Sequence, residues 1–218
     1  MANKAIIAGS SGLIGSKLLD ILLQEAFYDE VLILVRKELP IQHKKLTQLV
    51  TNFDQLDTYA SEITGHALFC CLGTTNAKTP DKAVYRKIDH DYPVQLGQLA
   101  LKNGVKQFHL VSAVGANAAS SMFYVKTKGE TEDDLKNIGL PSLYIYRPSM
   151  LTGDRKEKRS LEKVITTIFK VIDPLLFGGL KKYRSISGAN VAMAMYNQST
   201  KNNTGTFVYE FDQIKQLS

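Results

Sequence analysis

Three residues of this 218-residue chain combine types and spacing suited to proton transfer: Ser112, Tyr124 and Lys128. Tyr124 and Lys128 stand four apart in a segment with helical patterning, so they share one helix face. Tyrosine is a poor acid–base catalyst at its free pKa of about 10. An ammonium beside it favours the phenolate and draws the working pKa towards neutrality. Moving it by ~3 units takes about 4 kcal/mol of differential stabilisation, which Lys128 and a cationic cofactor ring would supply together. Ser112 closes the apolar run Gln107-Phe108-His109-Leu110-Val111 and would hold a substrate oxygen while Tyr124 transfers the proton. By itself a Tyr-x-x-x-Lys spacing recurs by chance; its weight comes from its surroundings.

The strongest of those surroundings is Gly9-Ser10-Ser11-Gly12-Leu13-Ile14-Gly15, which follows the short apolar run Ala5-Ile6-Ile7-Ala8. Such a run reads as a buried strand, and the chain continues at helical spacing through Leu18, Leu19, Leu22 and Leu23. Strand, glycine loop and helix together present backbone N–H groups and a helix N-terminus to a pyrophosphate. Gly9 would permit the tight turn, Gly12 a close approach of backbone to phosphate, and Gly15 close packing of helix on strand. An ordinary α/β turn can also hold three glycines; their position between strand and helix favours a dinucleotide. Arg36 and Lys37 end the next apolar run, residues 31–35, where such a unit meets the adenosine ribose. An acid there would bind the 2′-hydroxyl of NAD, whereas a guanidinium can give two charge-assisted hydrogen bonds to the 2′-phosphate of NADP. NADP(H) is the expected cofactor, with NAD(H) as the alternative.

The elements that must position these groups alternate along the chain. Strands are expected near residues 31–35, 48–53, 67–72, 107–111 and 142–146. Helices are expected at 56–63, at 83–103 with a distortion at Pro93, and at 124–137, ended by Gly139 and Pro141. Beyond Gly153 the pattern loosens into a helix at 161–171, an irregular stretch at 174–182, a helix at 189–198 and a last strand at 206–210. Nearly continuous apolar strands alternating with helices predict an α/β fold, a doubly wound parallel sheet covered by helices on both faces. Residues 1–218 form one domain, with a core over 1–153 and a small, mainly substrate-side subregion, including the last strand, over 154–218.

Composition narrows the function classes. Hydrophobic residues make up 44% and charged residues 22%, which is the balance of an ordinary globular domain. The longest apolar runs, such as residues 67–72, are far short of a membrane span. Residues 1–4 lead straight into the first strand, which leaves no room for a signal peptide and predicts a cytoplasmic protein. Cys70 and Cys71 are neighbours on a strand, so they point to opposite faces and read as reduced, buried small residues. Histidines 43, 66, 90 and 109 lack ligand spacing, so no metal site is expected. The net charge of +6 is partly concentrated between Arg155 and Arg184. Nucleic acid or a membrane surface could exploit that charge, but no nucleic-acid-binding signature accompanies it. It reads as a solvated rim beside an anionic cofactor, and no nucleic-acid partner is expected.

At this point the chain resembles the short-chain dehydrogenase/reductase superfamily, and within it the atypical branch that contains the Tat-interacting oxidoreductase. The resemblance rests on Gly9-x-x-Gly12-x-x-Gly15, Leu34-Val35-Arg36, Cys70-Cys71-Leu72-Gly73-Thr74-Thr75, Ser112-x-x-Gly115, Tyr124-x-x-x-Lys128-Gly129-Glu130 and Tyr146-Arg147-Pro148. It implies a Rossmann fold with Asn52 and Phe53 beside the adenine and with Cys71, Leu72, Gly73 and Thr74 lining the cofactor through backbone groups. Arg147, Pro148, Ser149 and Met150 would pack near the nicotinamide. Ser112, Tyr124 and Lys128 match the catalytic triad, with Lys128 also holding the nicotinamide ribose. Many relatives place an asparagine in the helix before the fifth strand to order a proton-relay water; here that neighbourhood reads Asp89-His90-Asp91, so the relay is missing or built differently.

The expected function is NADP(H)-dependent oxidoreduction of a small carbonyl or alcohol. The rival is an NADP(H)-binding sensor or regulatory interaction protein with little or no turnover. The substrate pocket is expected from residues 116–123 and the segment beyond Gly153. Phe123, Phe169, Phe177 and Leu180 would either line an apolar site there or pack in the core.

Overall fold

Short runs of small and branched apolar residues, buried on both faces, build the centre of the molecule. In β1 (Lys4–Ala8), Ala5 and Ile7 enter the core on one side of the sheet and Ile6 and Ala8 enter it on the other, all fully buried. The computed structural model describes residues 3–152 and 176–218. Among these, β2 (Glu30–Val35), β3 (Leu46–Val50), β4 (Ala67–Cys70), β5 (Gln107–Val111), β6 (Ser142–Tyr146) and β9 (Gly205–Tyr209) join β1 in a seven-stranded sheet ordered β3-β2-β1-β4-β5-β6-β9. Every pairing is parallel. Two short strands, β7 (Leu151–Thr152) and β8 (Ile186–Ser187), pair with each other beyond the sheet.

Helices cover both faces, as expected for a doubly wound sheet. α1 (Leu13–Gln24), α5 (Gly188–Ser199) and α6 (Phe211–Leu217) pack on the face of Ile7, Ile33 and Phe69. The 3-10 segment Phe53–Glu62, α3 (Tyr92–Lys102) and α4 (Phe123–Ile138) pack on the face of Ile6, Leu68 and Leu110. Each fully buried leucine, isoleucine or phenylalanine contributes roughly 1.5–3 kcal/mol, so these two layers fix where the strand ends lie. Cys70 falls in one layer and Cys71 packs against the other, and both are free thiols. One face also carries a row of rings in register across four strands. Phe69 stacks on His109, His109 on Tyr144 and Tyr144 on Phe207, with centroids 4.7, 4.5 and 5.1 Å apart.

Several boundaries differ from the sequence expectation for local reasons. The third strand covers 46–50 rather than 48–53, because Asn52 accepts the Asp54 N–H and starts the 3-10 segment there. The fourth strand ends at Cys70, leaving residues 71–75 irregular at the sheet edge where a ligand would enter. The long helix runs from α2 (Lys82–Arg86) through a π-helical turn, Lys87–Asp91, into α3. Pro93 has no N–H, so the carbonyl of Asp89 loses its usual donor; the Thr131 hydroxyl lies 2.9 Å from it and 2.8 Å from the Thr127 carbonyl, its one proton shared between the two. The expected helix at 161–171 lies outside the described residues. Within the stretch 174–182, expected to be irregular, a 3-10 turn begins at Gly178 and runs to Tyr183. The C-terminal α6 was not anticipated, although its capping box between Glu210 and Gln213 is legible in the sequence.

Candidate active site

The loop after β1 is shaped by its glycines. Gly9 has φ of +89°, and a Cβ there would sit 2.6 Å from the carbonyl oxygen of Cys71. A Cβ on Gly15 would fall 2.2 Å from the Gly9 carbonyl oxygen, so α1 rests directly on the loop. A Cβ on Gly12 would meet only that same carbonyl, at 3.3 Å, which leaves its outer side open. Gly12 is the N-cap of α1 and offers no side chain to the first turn. The N–H groups of Leu13, Ile14 and Gly15 are thus not taken by a capping side chain and are available to an anion. Ser11 is exposed, while the Ser10 hydroxyl is buried without a partner among the described residues, as is the Thr75 hydroxyl beyond β4. Two orphaned hydroxyls and a glycine cradle fit a bound dinucleotide.

Arg36 and Lys37 are exposed just beyond β2. Asn52 is exposed beside them in the fold, since Thr51 donates its N–H to Val35. Phe53, expected at the adenine, is instead a core residue whose ring lies 5.6 Å from that of Tyr92. Beyond β4, Cys71 donates its N–H to Ala8, Leu72 packs on the core, Gly73 is exposed, and Thr74 donates its N–H to Asp89 at 2.8 Å.

α4 brings Tyr124 and Lys128 to one face, as the spacing requires. Gly129 permits this placement, because a Cβ there would be 2.1 Å from the Ala118 nitrogen of the loop packed against the helix. Tyr124 is 44% exposed, whereas Lys128 is only 5% exposed, its Nζ 2.9 Å from Asp89 Oδ1 and 3.5 Å from the Val111 carbonyl. Burial works against the Lys128 ammonium, but Asp89 and Tyr124 together hold its pKa above the ordinary lysine value. The Tyr124 phenol departs from expectation. Desolvation raises its pKa, and Asp89 adds to the rise, so the opposing pull of Lys128 does not bring it down in the cofactor-free protein.

Ser112 also departs from expectation. Its hydroxyl donates to Glu132 Oε1 at 2.5 Å, and the residue is buried. The single O–H that was to hold a substrate oxygen is therefore committed inside the protein. Arg147 meets the same carboxylate, with Nε 2.9 Å from Oε1 and Nη2 2.5 Å from Oε2. That contact holds the guanidinium pKa above its usual value and turns Arg147 towards α4. Pro148 accepts the Val114 N–H, Ser149 donates its hydroxyl to the Arg184 carbonyl, and Met150 remains 37% exposed. Sequence reading missed Glu132, although its place four residues after Lys128 and eight after Tyr124 put a carboxylate on the buried face of the same helix.

In the expected pocket, Phe123 packs its ring 5.4 Å from that of Tyr85. Phe177 and Leu180, offered as core or pocket residues, are 73% and 54% exposed. Phe169 and most of the basic cluster lie outside the described residues.

A parallel sheet in this order, with its crevice between the loops after β1 and β4, defines a Rossmann-type nucleotide-binding protein. Residues 9–201 match the NAD(P)H-binding family, and the chain belongs to it as an atypical short-chain dehydrogenase/reductase. Protein HTATIP2 of Rattus norvegicus is 35% identical over 174 residues, which cover 78% of this chain and 72% of that protein. The mitochondrial protein fmp52 of Aspergillus clavatus is 30% identical over 208 residues, covering 92% and 88%. Among solved structures, the Bordetella bronchiseptica enzyme WbmH in complex with NAD+ superimposes with a TM-score of 0.71 at 18% identity, over 98% of this chain and 78% of that one. The UDP-glucose 4-epimerase of Thermotoga maritima with UDP-glucose gives 0.71 at 17% identity, over 98% and 81%. At that identity the likeness concerns the fold alone.

Proposed function

We propose that the chain is an NADP(H)-dependent oxidoreductase acting on a carbonyl or alcohol, with Tyr124 as the group that exchanges a proton with the substrate oxygen. The observation that carries this reading is the half-exposed Tyr124 phenol one helical turn from a buried, charged Lys128, on a helix that lies over the ends of β4 and β5. A bound nicotinamide supplies or accepts the hydride. Leu13 to Gly15 would hold the pyrophosphate, Arg36 the 2′-phosphate and Lys128 the nicotinamide ribose. Ser112 supports the crevice from beneath through Glu132, and Tyr124 is left to meet the substrate oxygen.

The test is NADPH oxidation with a panel of carbonyl compounds. Tyr124→Phe removes only the phenolic oxygen, so NADPH binding should persist while turnover falls by roughly 10²–10⁴. Undiminished turnover would remove the mechanism. One observation favours the second reading, an NADP(H)-binding sensor: the Ser112 hydroxyl is already occupied by Glu132. For a sensor no carbonyl is consumed, and Tyr124→Phe changes neither cofactor binding nor partner association. Relatives named as mitochondrial proteins set that compartment against the cytoplasmic one expected from the sequence; fractionation of cells expressing the full-length protein decides between them.

A further inference from the structure

Asp89 is a carboxylate enclosed by partners, although Oδ1 meets its lysine as an ion pair without hydrogen-bond geometry. Oδ1 lies 2.9 Å from Lys128 Nζ, Oδ2 accepts the Thr74 N–H at 2.8 Å, and the main-chain carbonyl accepts the Thr131 hydroxyl. The residue is 1% exposed. The pair abuts the crevice at Gly73, where an added Cβ would lie 3.5 Å from Asp89 Oδ1 and 3.9 Å from Lys128 Nζ.

A buried ammonium is costly unless paired and hydrogen-bonded. The titratable groups that act on Lys128 are Asp89 from the π-helical turn, Tyr124 from its own helix and the Cys70 thiol from β4. Those that act on Tyr124 are Lys128 and Asp89, and Tyr85 from α2 is coupled to it in turn. The carboxylate therefore does two opposed things. It keeps Lys128 charged, and it offsets the attraction of that charge for a phenolate at Tyr124.

We propose that Asp89 is a positioning residue of the Tyr124–Lys128 pair, fixing the ammonium beside Gly73 and counterbalancing its charge at Tyr124, in the region where the family resemblance led us to expect a water-ordering asparagine. Desolvation is the main reason that Tyr124 stays protonated in the free protein, and the counterbalance adds to it; the protonated phenol is the form a carbonyl reduction needs. This rests on the oxidoreductase reading of the same site, yet it concerns the cofactor-free protein and is measured without turnover, so either can fail alone.

The experiment follows the Tyr124 ring-carbon NMR signal, assigned with Tyr124→Phe, through an alkaline titration of the cofactor-free chain. In Asp89→Asn the ammonium loses its counter-charge, and the ionisation constant of Tyr124 should rise about tenfold, a midpoint lower by about one pH unit. A midpoint that is unchanged or higher overturns the proposal. Lys128→Met provides a second arm should Asp89→Asn fail to fold. With the ammonium gone, Tyr124 faces Asp89 alone and its midpoint should rise; a midpoint that stays in place overturns the proposal as well. A role confined to packing would move neither.

Discussion

Arg147 at the end of β6 and Glu132 in the middle of α4 form a two-pronged ion pair, with Glu132 buried and Arg147 largely covered. Ser112, at the end of β5, donates to the same carboxylate. Two strand ends and one helix are thereby joined at one point beneath the crevice.

Removing the shared carboxylate should cost more than removing the hydroxyl. Glu132→Ala strands a guanidinium and should destabilise by about 3 kcal/mol, whereas Ser112→Ala leaves the ion pair in place and should cost about 1.5 kcal/mol. Urea denaturation of the two variants measures both. Equal stability of native protein and Glu132→Ala would show that the ion pair does not hold these elements.

The glycine loop separates folding from binding. Gly15→Ala drives a Cβ into the Gly9 carbonyl and should lower the melting temperature sharply. Gly12→Ala meets only one atom, at 3.3 Å, so the fold should survive while NADPH affinity falls because the methyl group lies in the phosphate's path. Thermal melting together with NADPH fluorescence titration tests the pair; intact NADPH binding by Gly12→Ala would place the pyrophosphate elsewhere.

Arg36→Ala should weaken NADPH by about ten- to a hundredfold, equivalent to ~1.5–3 kcal/mol for a lost charge-assisted phosphate contact, and leave NADH nearly unaffected. Equal affinities of the unmodified protein for NADPH and NADH would remove the preference.

His109 gives stability a pH dependence of known sign. Burial, with a smaller contribution from His66, holds its pKa well below the ordinary histidine value, so it stays neutral in its ring stack while the unfolded chain binds a proton. Stability should be complete above about pH 6.5 and fall as the pH drops below it, by up to about 1.4 kcal/mol per pH unit. Urea midpoints measured from neutral to mildly acid pH follow this. In His109→Phe the slope should vanish even if the unpaired Gln107 and Tyr146 lower stability overall; a flat profile in the native protein would contradict the buried neutral state.

The fold was legible because apolar strands such as Ile6-Ile7 and Leu32-Ile33-Leu34 have a single way to be buried, between two helix layers. The Tyr124–Lys128 face followed from helical spacing alone. Ser112 did not follow, because its role depends on which partner reaches it, and Glu132 is brought there by the docking of α4, twenty residues on. Asp89 was visible only as a departure from an expected asparagine; its contact with Lys128 crosses from one helix to another. For Tyr124, spacing reveals the nearby cation but neither the desolvation nor the carboxylate that oppose it in the cofactor-free protein.

The exchange at the Asp89 carbonyl, where Thr131 replaces the donor that Pro93 lacks, ties three distant positions into one unit of change. A substitution at Pro93 that restores an N–H gives this carbonyl, with its two lone pairs, a second donor, and loss of the Thr131 hydroxyl takes its side-chain donor away. Either alteration is felt at Lys128 through the aspartate that both residues help to seat. Variation at these positions in related chains should therefore be concerted, and a mutational scan read one site at a time would undervalue each of them.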